Sequence, residues 1–241
     1  MNFDQLKKAP KKINPCPIAE AVVELRFDSN LPSDAILGII FNKFKDKYPN
    51  FSKLPILELP GFVRDNDPNF KFSPYYRMTN NDFSFQIGPR CFSLACPKEY
   101  KGWVKYRDEI EWVFNEMKNL DFVKNPLRLG VRYINFFENM NVFEKIQIEL
   151  FLAKNSMINN TNILRSEFDF QNFHCVFQMT NSALLDGNIK GSSLDIDVIY
   201  ENKNDMLKNH EKIISLAHDV EKTLFFGILK NDFLATLNPE Y

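Results

Sequence analysis

The chain has 241 residues, 44 % of them hydrophobic and 24 of them Phe, which supplies a sizeable core and excludes intrinsic disorder. Its 30 Lys and Arg against 31 Asp and Glu leave a formal net charge of -1, which excludes a global electrostatic attraction to nucleic acid or an anionic membrane. No apolar run approaches the roughly 18 residues of a membrane span, and no leader-like segment opens the chain, so a cytoplasmic location with reduced Cys16, Cys91, Cys96 and Cys175 is expected.

Residues 1–15, with Lys7, Lys8, Lys11 and Lys12 around Pro10, lack a period that would bury a face and predict a solvated N-terminal arm. The stretch from Pro17 to Phe27 alternates. Ala19, Ala21, Val23, Leu25 and Phe27 share one side of a strand, and Ile18, Glu20, Val22, Glu24 and Arg26 share the other. Ser33 stands as a candidate N-cap before an amphipathic helix carrying Ile36, Ile40, Phe44 and Tyr48, closed by Pro49. A short strand is expected over Leu54–Leu59 and an exposed loop over Gly61–Asn69.

Strands at Tyr75–Thr79 and Asp82–Ile87 flank Asn80-Asn81, which predicts a two-residue hairpin turn, and Gly88-Pro89 leads into a further strand over Arg90–Cys96. Trp103, Tyr106, Ile110, Val113, Phe114, Met117 and Leu120 recur at helical spacing up to Asn125-Pro126. Leu127–Phe137 then repeats the opening pattern, with Arg128 and Arg132 opposite Leu127, Leu129, Val131 and Tyr133. A short helix, with a strand as the alternative, is expected over Val142–Leu152, strands over Ile163–Phe170, Phe173–Thr180 and Leu194–Tyr200, and a long helix over Met206–Leu229.

The fold class is therefore α+β. Two halves, 16–126 and 127–241, each of the form β-α-β(3–4)-α, are expected to build one curved, mainly antiparallel sheet with helices on one face, a single domain over 16–241 behind the arm.

The segment Pro17-Ile18-Ala19-Glu20-Ala21-Val22-Val23-Glu24-Leu25-Arg26-Phe27, together with Arg128-Leu129-Gly130-Val131-Arg132-Tyr133-Ile134-Asn135, resembles a sporadically distributed bacterial protein family of similar length. The resemblance extends over nearly the whole chain, including Leu194–Val198 and the segment from His218 to Phe226. It implies no particular activity, and sporadic occurrence implies an association with mobile or defence genes. The halves also resemble the β-α-β4-α unit of TATA-binding-protein-like folds, a likeness of fold that supplies no function.

Charged strand faces carry the functional expectation. Glu20, Glu24 and Arg26 share a face, as do Arg128 and Arg132, and as do Asp195 and Asp197. The simplest account is a wet sheet surface tied by cross-strand ion pairs of about 0.2–1 kcal/mol each. Alternatively, the arginines bind a carboxylate, phosphate or acidic segment, or the four acidic residues hold Mg²⁺ or Mn²⁺ in a phosphate-compound hydrolase. The spacing of Glu20 and Glu24, with Val22 between, fits that hydrolase poorly. Cys91 with Cys96, and His174 with Cys175, lie on opposite faces of their strands and do not converge as metal ligands. The Lys98–Arg107 stretch, with Tyr100, Trp103 and Tyr106, fits a helix core better than a nucleic-acid stripe. His210 and His218 fit structural places on the last helix. The chain is accordingly expected to be a non-enzymatic binding or assembly module without cofactor or metal, engaging a protein partner or a second copy, with a metal-dependent hydrolase and a nucleic-acid binder as alternatives.

Overall fold

The computed structural model describes residues 9–97, 99–202 and 206–241. Eleven strands are β1 (Ile18–Ser29), β2 (Asn50–Lys53), β3 (Tyr76–Thr79), β4 (Ser84–Ile87), β5 (Cys91–Pro97), β6 (Val123–Glu138), β7 (Phe151–Leu152), β8 (Asn155–Ser156), β9 (Ile163–Phe170), β10 (Phe173–Leu185) and β11 (Ile189–Tyr200). The α-helices are α1 (Ser33–Phe44), α2 (Gly61–Asn66), α3 (Trp103–Asn119), α4 (His210–Ile228) and α5 (Asn231–Thr236). Nine strands form an open, mainly antiparallel sheet in the order β2-β3-β4-β5-β1-β6-β11-β10-β9, and β7 with β8 makes a separate hairpin. This is the α+β architecture expected from the alternation, with helices packed on the sheet. Among the described residues, no helix is long and apolar enough to cross a membrane.

Two compact units divide the chain. One comprises the chain through Glu20, Arg132–Ile199 and Ser215–Tyr241, and the other Ala21–Val131 with Tyr200–Ile214. In the second unit the inward side of β1 is dry: Ala21, Val23, Leu25 and Phe27 are all fully buried. Helix α3 covers them with Tyr106, Ile110, Val113, Phe114 and Met117, the face its three- and four-residue spacing predicts. The Tyr106 hydroxyl lies 3.1 Å from the Ala21 carbonyl oxygen and 2.7 Å from that of Leu94, so this large ring brings its polar atom to partners in the sheet. Phe44 of α1 closes on Phe85 at a ring separation of 4.5 Å.

In the first unit, β9, β10 and β11 are joined by tight turns. Gln171, at φ +54°, and Asn172 close β9 onto β10, with Phe170 opposite Phe173. Asp186 and Gly187, both at positive φ, lead from β10 to β11. Gly191 is fixed by crowding, since a Cβ there would stand 2.3 Å from the Phe137 carbonyl oxygen. Residues 10–14 are held against the C-terminal segment: Pro10 and Ile13 are buried, and Lys12 bridges Glu240. The expected solvated arm thus has an anchored distal part, while Lys7 and Lys8 lie outside the described residues, as does Lys98.

Several local expectations are corrected. Ser33 is the first residue of α1 rather than its cap; Pro32 precedes the helix and no side chain caps it. Leu54–Leu59 is not a strand, because Pro55 has no N–H to offer a ladder and opens a 3-10 turn over Pro55–Glu58. The expected loop after Pro60 contains α2, whose Arg64 guanidinium sits 4.6 Å from the centre of the Tyr75 ring. Thr79 pairs with Ser84, so the β3–β4 turn has four residues, and the Asn80 side chain accepts from the amides of Asp82 at 3.0 Å and Phe83 at 2.8 Å. The helix expected over Val142–Leu152 shrinks to a 3-10 turn over Val142–Glu144. Tertiary anchors prevail there: the Val142 amide donates to Ser192 Oγ at 3.0 Å, Ile146 bridges Leu229, and Val142, Phe143 and Ile146 are fully buried.

Candidate functional site

The seven charged residues singled out from the sequence fall into two groups, one in each unit. In the second unit, Glu24 of β1 accepts from Arg26 Nε at 2.7 Å and from Arg128 Nη1 of β6 at 2.9 Å through the same oxygen, Oε1. The pairing follows from alternation, because residues two apart on β1 share a side and the strand order makes β6 its neighbour. Arg26 also stands 5.3 Å from the centre of the Phe72 ring. Arg128 and Glu24 retain only 14 % and 21 % of side-chain exposure, so water screens this pair less than an ordinary surface pair. Below them the Cys91 thiol is pushed well up by burial, and the Glu24 charge pushes the same way.

In the first unit, Arg132 of β6 grips Asp195 of β11 with two bonds, Nε to Oδ1 at 2.8 Å and Nη2 to Oδ2 at 2.5 Å. This fork-to-carboxylate geometry holds the guanidinium strongly charged; the Asp195 bond raises its pKa most, and the charges of Asp195, Asp197 and Glu20 add to it. Glu20, Arg132, Asp195 and Asp197 are thus electrostatic neighbours on one surface.

That surface continues through residues the sequence reading had not marked as a site. Gln178 of β10 faces Asp195 in the ladder, and Arg165 of β9 faces Gln178, with Arg165 Nη1 donating to Gln178 Oε1 at 3.1 Å. Arg165 Nη2 also meets Glu167 Oε1 at 2.6 Å. His174 reaches Asp169 at 3.1 Å and Glu167 at 3.4 Å; the Asp169 bond is the main reason its pKa is raised, with Glu167 contributing. The available signal was the alternation in Ile163-Leu164-Arg165-Ser166-Glu167-Phe168-Asp169-Phe170, whose odd positions are exposed. The chemistry of the surface is consequently that of paired ions. Each of Arg26, Arg128, Arg132 and Arg165 has a carboxylate within 2.5–2.9 Å.

Cys91, Cys96 and Cys175 are buried and Cys16 is exposed; burial raises the Cys175 thiol to about 11. Among the described residues, no three His, Cys, Asp or Glu side chains are grouped closely enough to hold a metal ion. Away from the charged groups, a shallow cleft of about 400 Å³ in the second unit is lined by Lys53, Leu54, Pro55, Leu57, Glu58 and Tyr76. His210 is buried and stacks on Phe114 at 5.1 Å. His218 lies 5.6 Å from the Tyr133 ring, and burial lowers its pKa to about 3. No family model matches the sequence, and no curated protein matches it either.

Proposed function

We propose that the chain is a non-enzymatic, cytoplasmic binding or assembly module that engages protein through the polar strand surface of its first unit. The observation that carries this reading is the run of arginine–carboxylate pairs, Arg132 with Asp195 and Arg165 with Glu167, joined through Gln178 of β10 and reaching a strand that ends the sheet. An arginine already forked onto a carboxylate is not poised for a phosphate, and a carboxylate already held by arginine is not poised for a divalent cation. A strand surface of paired ions at the end of the sheet suits a polypeptide, which can pair with main-chain groups and read side chains at alternate positions. An assembly role also fits the association with mobile or defence genes that the family resemblance implies. Among the described residues, no grouping that could hold a metal ion favours the metal-dependent hydrolase.

The test compares the intact chain with Glu167→Pro, a change that removes an edge N–H while leaving the β10 ladder in place. Light scattering after size exclusion, and affinity capture from the native host, should show a stoichiometric complex for the intact chain that the variant loses at unchanged melting temperature. A strictly monomeric chain with no stoichiometric partner would refute the proposal.

A further inference from the structure

Strand β9 ends the nine-stranded order, and its exposed edge has a definite hydrogen-bonding phase. The two-residue turn at Gln171-Asn172 makes Phe170 and Phe173 a hydrogen-bonded pair, and in an antiparallel ladder such pairs recur at every second residue. The Asn181 amide donating to the Asn162 carbonyl at 3.4 Å continues the same phase at the far end. Residues 164, 166, 168 and 170 therefore spend their main-chain groups on β10, whereas Ile163, Arg165, Glu167 and Asp169 aim their N–H and C=O groups outward. Their side chains are exposed too, with Ile163 at 77 %.

Charge on an edge strand usually discourages pairing. Here the signs are mixed, Arg165 followed by Glu167 and Asp169, and discouragement applies to some registers only. Consider a second copy of β9 laid antiparallel on the first, with outward-facing residues opposite one another. Placing Arg165 against Arg165 of the partner subunit, or Glu167 against the partner's Glu167, brings like charges together. Shifting further, so that Glu167 faces Asp169 of the partner subunit, does the same. One central register remains, with Ser166 on the two-fold axis. In it Arg165 faces the partner's Glu167 twice over, and Ile163 faces the partner's Asp169. All four outward residues of each strand then fall in hydrogen-bonding positions, and each opposed pair exchanges two main-chain bonds. On the other side of the strand, Leu164 meets Phe168 of the partner subunit; both are only half buried in the single chain.

We infer that β9 is a self-complementary edge at which two copies of this chain join antiparallel about Ser166, continuing the sheet from one copy into the other. The inference rests on the assembly reading above and deepens it by naming the occupant as a second copy. It also gives the mixed charges a role: they select the register, a task that hydrophobicity alone performs poorly on a strand neither of whose sides is fully buried. Because the Arg165–Glu167 contact is reciprocal, its prediction is sharp. Arg165→Glu makes both members of the 165/167 pair acidic, and Glu167→Arg makes both basic. Each variant repels its own copy, yet the two are complementary to each other.

Sedimentation equilibrium of the full chain from micromolar to millimolar concentration should show a reversible monomer–dimer equilibrium that weakens with salt. Arg165→Glu and Glu167→Arg should each dimerise about ten-fold more weakly or worse. Their equimolar mixture should recover a heterodimer, and the double variant should recover self-association. Hydrogen exchange of the unaltered chain adds a readout free of any folding defect: the amides of residues 163, 165, 167 and 169 should gain protection with concentration. A monomer at every concentration, a dimer indifferent to both substitutions, or a mixture that stays monomeric would overturn the inference. If the intact chain stays monomeric but still captures a stoichiometric partner that Glu167→Pro loses, self-pairing falls and the assembly reading stands. A dimer without β9 protection has the same consequence, whereas a strict monomer with no partner ends both.

Discussion

Replacing Glu221 by Gln should change the pH dependence of stability more than stability itself at acid pH. Glu221 lies on α4, is 5 % exposed, and burial raises its carboxyl to about 8, against a smaller opposing effect of Lys222. A carboxyl with a folded pKa above its unfolded value keeps its proton in the folded chain and loses it on unfolding near neutral pH. Its contribution is therefore complete below about pH 4.5 and is lost as pH rises toward 8. At 1.36 kcal/mol per pH unit, that loss reaches about 3 kcal/mol at pH 7 and about 4 kcal/mol at pH 8. His218, three positions earlier, acts oppositely. Burial holds it neutral with a pKa of about 3, so its contribution is complete above about pH 6.5 and is lost as pH falls.

Between about pH 4.5 and 6.5 the two slopes cancel, and the intact chain should show a plateau in this contribution that declines on the alkaline side. Glu221→Gln removes the declining limb, so its stability should climb to about pH 6.5 and then hold. Urea unfolding of both proteins at pH 5, 6, 7 and 8, with unchanged m-values, measures the difference, in which every other titrating group cancels. Parallel profiles across that range would refute the reasoning.

Three further outcomes follow from the packing. Leu25→Asp places a carboxylate on the fully buried side of β1 with no cation provided for it, and should cost more than about 4 kcal/mol, read as loss of the cooperative thermal transition. Gly191→Ala drives a methyl group against the Phe137 carbonyl and the Phe136 ring, 2.3 and 2.7 Å away, and should lower the urea midpoint by an amount worth about 1–3 kcal/mol. Tyr106→Phe removes the hydroxyl that serves the Ala21 and Leu94 carbonyls while keeping the ring, and a loss of about 1–2 kcal/mol in denaturant unfolding is expected.

The alternation of Ala21, Val23, Leu25 and Phe27 against Glu20, Glu24 and Arg26 was enough to assign a strand with one dry and one wet side. The same logic gave β6 and α3 their buried faces, because period and burial are local consequences of backbone geometry. It failed where distant groups overrule local preference: Val142–Leu152 has helical spacing, but Ser192 and Leu229 hold its backbone in another path. The charges were legible as residues and as faces, and their partners were not. Arg132 belongs with Asp195, sixty-three positions away, and Arg128 with Glu24, one hundred and four away, because strand order brings those pairs together, and strand order is a property of the folded sheet. Sequence alone determined the dry and wet sides of regular elements such as β1 and α3, though not the burial of Ile13 in the arm or of Glu221 on α4. Tertiary structure decided which wet residues neutralise one another and left β9 as a strand at the edge of the sheet. Local periodicity sets a side chain's direction, whereas only the assembled sheet determines what stands beside it.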